Sequence, residues 1–533
     1  MQHNLDKNRR ILIFCEKLNL YPIYRIRQLK KEREKEMDIS VKTKQGILSG
    51  EQKDGFSQFL GVPYAKPPVG ELRFRKPVSV DPWEGVRQAK KFTSYCVQPG
   101  EPERIDKNIK GSEDCLTLNI YTPACDDRKR PVVVWIHGGA YLTGNHTSAT
   151  KLGGRMCTDF DIAVVTIQYR LGAFGCVNFA ALSGAKERFD TNCGTWDQLM
   201  AVNWVIDNIS NFGGDPAYIT LMGESAGACS VLTLMTTPYL QGKIKRAILE
   251  SPAPHLINTK ENGRIAALDI VRRLGIAEEE AYKVAELPAD ILTKAVEESE
   301  YDYVNRYPYL LPTAPVADGD LIPELPFDAV MHGAADGIEV LIGTTKDEAS
   351  IFARGKKTDI FPATEMQMNK FFTDHPEINR EQVIKLYSDY PDKKAFQEIG
   401  KEIFFHLPTM ELAYHLAEHG KVYLFHFDYA LPVIQLLGFG AAHCTNSAFT
   451  SGLPVKSALG WFAGKKGVLM RERIHHYWCN FIVAGDPNGN EEPYWAECGK
   501  DRNTIFLDVE CHTEQAPFER ERQAYGAPRL YGN

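Results

Sequence analysis

"YITLMGESAGACSVLTLM" spans residues 218–235. It opens with a short apolar run, passes through Gly223-Glu224-Ser225-Ala226-Gly227, and continues with apolar residues at helical spacing. That order reads as a buried strand, a sharp turn and a helix. A serine on such a turn stands at a helix N-terminus, where unpaired N–H groups favour developing negative charge. Alone, the five-residue G-x-S-x-G pattern is also met in small-residue turns. The strand before it and the helix after it give Ser225 the context of a reactive nucleophile.

The same strand pattern recurs on both sides. "PVVVWIHGGAYL" (131–142), "IAVVTIQYR" (162–170), "KRAILESP" (245–252), "IEVLIGTTKDE" (338–348) and "KVYLFHFDYA" (421–430) carry bare apolar runs. Runs of this kind predict strands buried on both faces, hence a mostly parallel sheet. Helix-patterned segments lie between them, including 195–214 and 226–238. The alternation predicts a doubly wound α/β core. Residues 256–310 and 353–420 are charged and helix-like, and read as cap-like insertions that wall a pocket at the strand ends. The 533 residues would fill several domains at about 150 residues each, but insertions on one sheet account for the length equally well. We expect one catalytic domain over 37–533, preceded by a Lys/Arg-rich tail over 1–36.

Composition narrows the function. The net charge of −7 offers no basic surface for nucleic acid or an anionic membrane. No run approaches the roughly 18 apolar residues of a membrane span, and residues 1–36 lack the form of a signal peptide. The twelve cysteines include no C-x-x-C pair and are too sparse for a disulfide scaffold. No H-E-x-x-H or G-x-x-x-x-G-K-[ST] motif is present, so neither a metal nor a cofactor is expected. The sequons at Asn145 and Asn208 fall in segments assigned to buried or helical structure and read as chance matches.

The strand ending in His137-Gly138-Gly139 presents backbone N–H groups in a loop. With the N–H of Ala226, those of Gly138 and Gly139 are suited to hold a carbonyl oxygen as it becomes an oxyanion. Here a resemblance emerges. "FGGDPAYITLMGESAG" (212–227), "EDCLTLNIYTP" (113–123) and "FLGVPYAKPPVGELRFRKP" (59–77) are similar to the signature blocks of the type-B carboxylesterase family. That family is the carboxylesterase/cholinesterase branch of the α/β-hydrolases. "YRLGAFG" (169–175), "GTTKDEAS" (343–350) and "YWCNFIVAGDPNG" (477–489) extend the match over nearly the whole chain after the tail. The likeness is strongest to bacterial carboxylesterases of the para-nitrobenzyl esterase type.

The resemblance implies an α/β-hydrolase fold and a serine, acid, histidine triad in that chain order. Carried over by position, the acid is Glu348, with Asp347 as its rival, and the base is His443 in "GFGAAHCTNSAFTSG" (438–452). His426 lies mid-strand and reads as core; His475 and His476 lie in an amphipathic helix. Ser251 in "ILESPAPH" takes the place of a family serine that supports the triad, or else caps the loop that follows it. Where relatives carry an acidic residue three places after the histidine, this chain has Asn446. Arg73 and Glu113 match a structural salt bridge, and Cys96 and Cys115 match the first family disulfide, expected to stay reduced in a bacterial-type cytoplasmic enzyme. The loop between them lacks the tryptophan that binds choline esters by cation–π contact, and Trp196 reads as core or pocket wall. The implied activity is hydrolysis of small-molecule carboxylic esters through an acyl-enzyme, with no nucleic-acid partner. A lipase for longer acyl chains, or a non-catalytic adhesion protein on the same fold, are the competing readings. Oligomeric state is not legible.

Overall fold

Each bare apolar run forms a strand, because a run without polar alternation needs cover on both faces. The computed structural model describes residues 37–102, 107–147, 150–307, 310–352, 364–450, 463–489 and 492–526. The expected tail, 1–36, lies outside these residues, as does 353–363 at the start of the second expected insertion. The strands are β1 (Met37–Lys42), β2 (Ile47–Gln52), β3 (Ser57–Pro63), β4 (Val86–Gln88), β5 (Tyr95–Cys96), β6 (Gly111–Ser112), β7 (Thr117–Thr122) and β8 (Arg130–Ile136). They continue with β9 (Ala163–Ile167), β10 (Gly214–Glu224), β11 (Arg246–Glu250), β12 (Glu339–Thr345), β13 (Val422–Phe427), β14 (Asn503–Leu507) and β15 (His512–Gln515).

One large sheet runs in the order β1-β2-β3-β7-β9-β8-β10-β11-β12-β13-β14-β15, with β4 beside β2. From β9 to β14 every pairing is parallel; the β1-β2-β3-β7 flank, the β7–β9 pair and β15 are antiparallel. Alternate residues serve opposite cores. Val132, Val134 and Ile136 pack with Ile219 and Leu221 on one side. Val133 and Trp135 pack with Met222 and Ile248 on the other. This is the α/β-hydrolase architecture, a doubly wound sheet between helical layers.

The position of the site follows from the strand order. The chain leaves β8, crosses to β9 on one side, and returns to β10 on the other. The carboxyl ends of β8 and β10 therefore flank a topological switch point, where open α/β sheets bind ligands. His137-Gly138-Gly139 follows β8, and Ser225 follows β10. The helix Cys193–Asn208 ends through a short 3-10 turn, Ile209–Phe212.

The first insertion forms Lys260–Arg273, Glu278–Glu286 and Ala289–Arg306, packed on a small core around Phe74. Arg73 joins it to the N-terminal block: its guanidinium pairs with Glu113 at 2.8 and 2.9 Å and donates to Ala285 O and Leu287 O at 2.8 and 2.7 Å. The expected salt bridge is thus also a clasp between segments. In the second insertion the helices Glu365–Asp374 and Lys393–Lys401 lead into a π turn, Glu402–His406, and the helix Leu407–His419. Asn145 and Asn208 are buried, in keeping with chance sequons. No helix among the described residues is long and apolar enough to cross a membrane.

Candidate active site

Ser225 sits between the end of β10 and the helix Ala226–Thr236 with φ 57° and ψ −126°. A non-glycine residue in that region is strained, and surrounding contacts must hold it there. Its N–H donates to Glu250 O of the neighbouring β11 at 2.9 Å. Gly227 lets the turn close, since a Cβ there would lie 2.1 Å from Ile136 O. Gly138 reaches the same place from β8: a Cβ on it would lie 2.5 Å from Glu224 O and 3.0 Å from Ser225 Cβ. Gly139 O accepts from Leu142 N and Thr143 N at 3.0 and 2.9 Å, which closes the loop. The N–H groups of Gly138, Gly139 and Ala226 donate to no protein acceptor among the described residues. The Gly138 and Ala226 backbones border Ser225 from two sides.

Glu348 opens a 3-10 turn just after β12 and is fully buried. Its Oε1 accepts from Ser251 Oγ at 2.6 Å and from Thr345 N at 2.7 Å, and its Oε2 is hydrogen-bonded to His443 Nδ1. Burial alone would raise this carboxyl, but the His443 charge and these hydrogen bonds outweigh it and hold it below the ordinary carboxylate value. An ionised Glu348 only accepts, so Nδ1 carries the hydrogen and Nε2 keeps the free lone pair of neutral His443. Burial would lower His443, yet Glu348 and Glu224 outweigh it and hold the imidazole above its ordinary value. Phe405, from the π turn of the second insertion, packs on the His443 ring at 4.6 Å, and Phe352 at 5.2 Å.

Glu348 and Asp347 differ in what each touches. Asp347 accepts from Ala441 N at 2.8 Å through Oδ2, and its own N–H donates to Ala441 O at 2.9 Å. It pins the loop that delivers His443, while Glu348 meets the ring. Ser251, open between two roles in the sequence, donates to Glu348. His426 is buried against Phe506 and Phe518, and His475 and His476 lie in the helix Gly464–Ala484, as expected. Trp196 packs on Tyr239 and carries the Lys76 ammonium 3.9 Å from its ring centre, so its face is already taken. Cys96 and Cys115 are buried free thiols, and Cys96 Sγ accepts from Leu171 N at 3.2 Å.

Three residues that sequence reasoning did not single out complete the site. Glu224 is buried, with Oε1 3.2 Å from His443 Nε2. The approach is at ion-pair distance without hydrogen-bond alignment, and Nε2 has no hydrogen-bond partner, Ser225 Oγ included. Burial raises the Glu224 carboxyl, with His443 and Cys444 opposing. Cys444, a surface residue with φ 68° whose thiol is partly covered, donates from Sγ to Glu224 Oε1 at 2.8 Å. Glu250, the register partner of Glu224 across β10 and β11, is buried and accepts from Trp478 Nε1 at 2.7 Å, Thr450 Oγ1 at 3.2 Å and Ser447 Oγ. The helix Thr445–Thr450, which carries Asn446, thus docks on an acid supplied by β11. An acidic residue closing the apolar run "AILE" was the one signal in the sequence for Glu250.

The model of the carboxylesterase family matches residues 37–526. The para-nitrobenzyl esterase of Bacillus subtilis (strain 168) is 31% identical over 495 residues, covering 91% of this chain and 97% of that one. An acetylcholinesterase of Leptinotarsa decemlineata is 29% identical over 524 residues, covering 88% and 82%. Among solved structures, a PNB esterase superposes with a TM-score of 0.80 at 30% identity, covering 91% of this chain and 99% of that one. The Geobacillus stearothermophilus carboxylesterase EST55 at pH 6.2 superposes with a TM-score of 0.78 at 32% identity, with the same coverage.

Proposed function

Because this chain belongs to the carboxylesterase family, and is a serine-type carboxylic ester hydrolase, we propose that Ser225, His443 and Glu348 are its catalytic triad and the N–H groups of Gly138, Gly139 and Ala226 its oxyanion hole. The observation that carries the assignment is the chain of contacts Ser251–Glu348–His443, with the base beside a strained serine turn at the switch point of the sheet.

In the reaction, His443 Nε2 takes the proton of Ser225 Oγ as the oxygen attacks the ester carbonyl. The carbonyl oxygen becomes an oxyanion and receives the three backbone N–H groups, whose lack of protein acceptors leaves them available. His443 then protonates the leaving alcohol, and the C–O bond breaks to give the acyl-enzyme. Water attacks the acyl carbon as its proton passes to Nε2, and His443 then returns that proton to Ser225 Oγ as the bond to the acyl group breaks and the acid leaves. Glu348 fixes the tautomer and stabilises the imidazolium. Links from serine to base are commonly long in an empty site and tighten with substrate, which accommodates an unpartnered Nε2.

Phe405 and Phe352 beside His443 support the reading of the insertions as pocket walls. The intact serine, acid and histidine disfavour a non-catalytic role. Small aryl esters such as p-nitrophenyl acetate, and the p-nitrobenzyl esters named by the relative, are the natural probes. Low cysteine density supports a cytoplasmic location. The test is a fluorophosphonate label located by mass spectrometry together with the turnover of Ser225→Ala. We expect labelling at Ser225 and loss of p-nitrophenyl acetate hydrolysis with unchanged circular dichroism. Undiminished turnover in that variant refutes the nucleophile assignment.

A further inference from the structure

The base nitrogen has company that ester hydrolysis does not call for. Glu224 Oε1, His443 Nε2 and Cys444 Sγ all lie within 4.8 Å of one another. Two of the edges are 3.2 Å (Oε1 to Nε2) and 2.8 Å (Sγ to Oε1). Tetrahedral Zn2+ has bonds of about 2.3 Å to sulfur and about 2.0–2.2 Å to nitrogen and oxygen, so its edges measure about 3.3–3.7 Å. These two edges reach those lengths by opening less than about 1 Å, and the third, Nε2 to Sγ, lies within 4.8 Å.

Three further observations point to a cation. Nε2 is buried and has no hydrogen-bond partner, so its lone pair is unused. Nδ1 on the far side of the ring is held by Glu348, the carboxylate–histidine arrangement that orients histidine ligands of metals. Cys444 is a surface residue whose thiol is partly covered, so the cluster lies at the edge of the protein where an ion can enter. The donor set also selects. One thiolate, one imidazole and one carboxylate suit Zn2+ or Cd2+, whereas Mg2+ and Ca2+ require oxygen ligands alone. A thiolate and a carboxylate neutralise the two charges of the ion, which removes much of the cost of holding a charge at a buried site.

We propose that Glu224, His443 and Cys444 form an inhibitory site for a thiophilic divalent cation, Zn2+ or Cd2+, superposed on the catalytic base. On binding, the Cys444 thiol gives its proton to solvent and Sγ, Nε2 and Oε1 bond the metal. The lone pair that would take the Ser225 proton is then occupied, and acylation stops until the ion leaves. The inhibition rests on the reading of His443 as the base; the binding site does not.

Two measurements separate those claims. Zn2+ is titrated calorimetrically into the Ser225→Ala variant, with and without Cys444→Ser. Turnover of p-nitrophenyl acetate by the full chain is followed against Zn2+ and Mg2+, with EDTA added afterwards. We expect one Zn2+ per chain, inhibition reversed by EDTA, no inhibition by Mg2+ at the same concentrations, and at least a ~10-fold rise in the inhibiting concentration in Cys444→Ser. Cys125→Ser, a partly exposed cysteine elsewhere in the chain, should be inhibited like the parent. Should Cys444→Ser fail to fold, the unaltered protein provides the test: Zn2+ should slow alkylation of Cys444 by iodoacetamide, mapped by mass spectrometry. Equal inhibition with and without Cys444, or alkylation indifferent to Zn2+, overturns the site. Stoichiometric binding that needs Cys444 but leaves turnover untouched overturns the inhibition and counts against His443 as the base.

Discussion

Replacing Glu250 with glutamine should stabilise this protein by an amount that grows as pH rises from about 4.5 to about 7 and is constant above that. Glu250 ends β11 with no solvent contact, beside the like charge of Glu224. Burial pushes its carboxyl up from 4.5 to about 7; the Ser447 hydrogen bond opposes the rise, Glu224 adds to it, and the Trp478 and Thr450 bonds oppose it again. Between pH 4.5 and about 7 the folded protein keeps a proton that the unfolded chain has released. Stability on this account is complete below pH 4.5 and is lost as pH rises through 7. A shift of about 2.5 units at about 1.4 kcal/mol each makes the loss about 3 kcal/mol. The glutamine oxygen keeps Trp478 and Thr450 as donors, and its amide N–H faces Ser447 Oγ, which accepts. The variant therefore matches the parent near pH 4.5 and exceeds it by about 3 kcal/mol above pH 7. Urea unfolding of both proteins at pH 5 and pH 8 measures this, with an unchanged slope showing that the unfolded states are comparable. A gap that stays constant with pH, or one that favours the parent as pH rises, refutes the reasoning.

Three more substitutions probe the site. Glu224→Gln removes a charge that holds His443 above its ordinary value; because the base works when neutral, the acid limb of the kcat/KM profile should move to lower pH, and an unmoved limb counts against the contact. Gly138→Ala places a methyl 2.5 Å from Glu224 O, so the oxyanion loop must retreat and kcat should fall by about 10²–10³ with KM little changed. Asp347→Ala deletes the 2.8 Å bond to Ala441 N, and should speed hydrogen exchange at Ala441 and lower kcat while Ser225 still takes up a fluorophosphonate label.

The sheet was legible because strands covered on both faces have a sequence signature of their own, and each of the six runs lies in one strand of the parallel core or at its edge. Ser225 was legible because the turn chemistry is local: a strand, a glycine frame and a helix within twenty residues. Glu348 was preferred to Asp347 only through the family motif, since adjacent carboxylates after a strand differ locally only in which way a 3-10 turn aims them. Glu224, Glu250 and Cys444 were illegible as a group. Their proximity comes from the parallel register of β10 on β11 and from the return of the loop after β13, neither of which leaves a mark within any one segment. Asn446 was visible as a departure from the family pattern, but the docking of Ser447 and Thr450 on Glu250 was not, because that acid arrives from a strand almost two hundred residues earlier.

The pinning of Ala441 by Asp347 separates where the histidine stands from how much chain precedes it. Two hydrogen bonds and the bridge between Asp347 and Ala442 set the end point of the loop after β13, next to the turn that bears Glu348. Residues between Tyr429 and Phe439 can then lengthen, shorten or change composition without moving the acid–base pair, since the anchor rather than the span fixes its coordinates. This loop is a place where substrate preference can drift while the chemistry holds still, and a site at which engineered insertions should be tolerated.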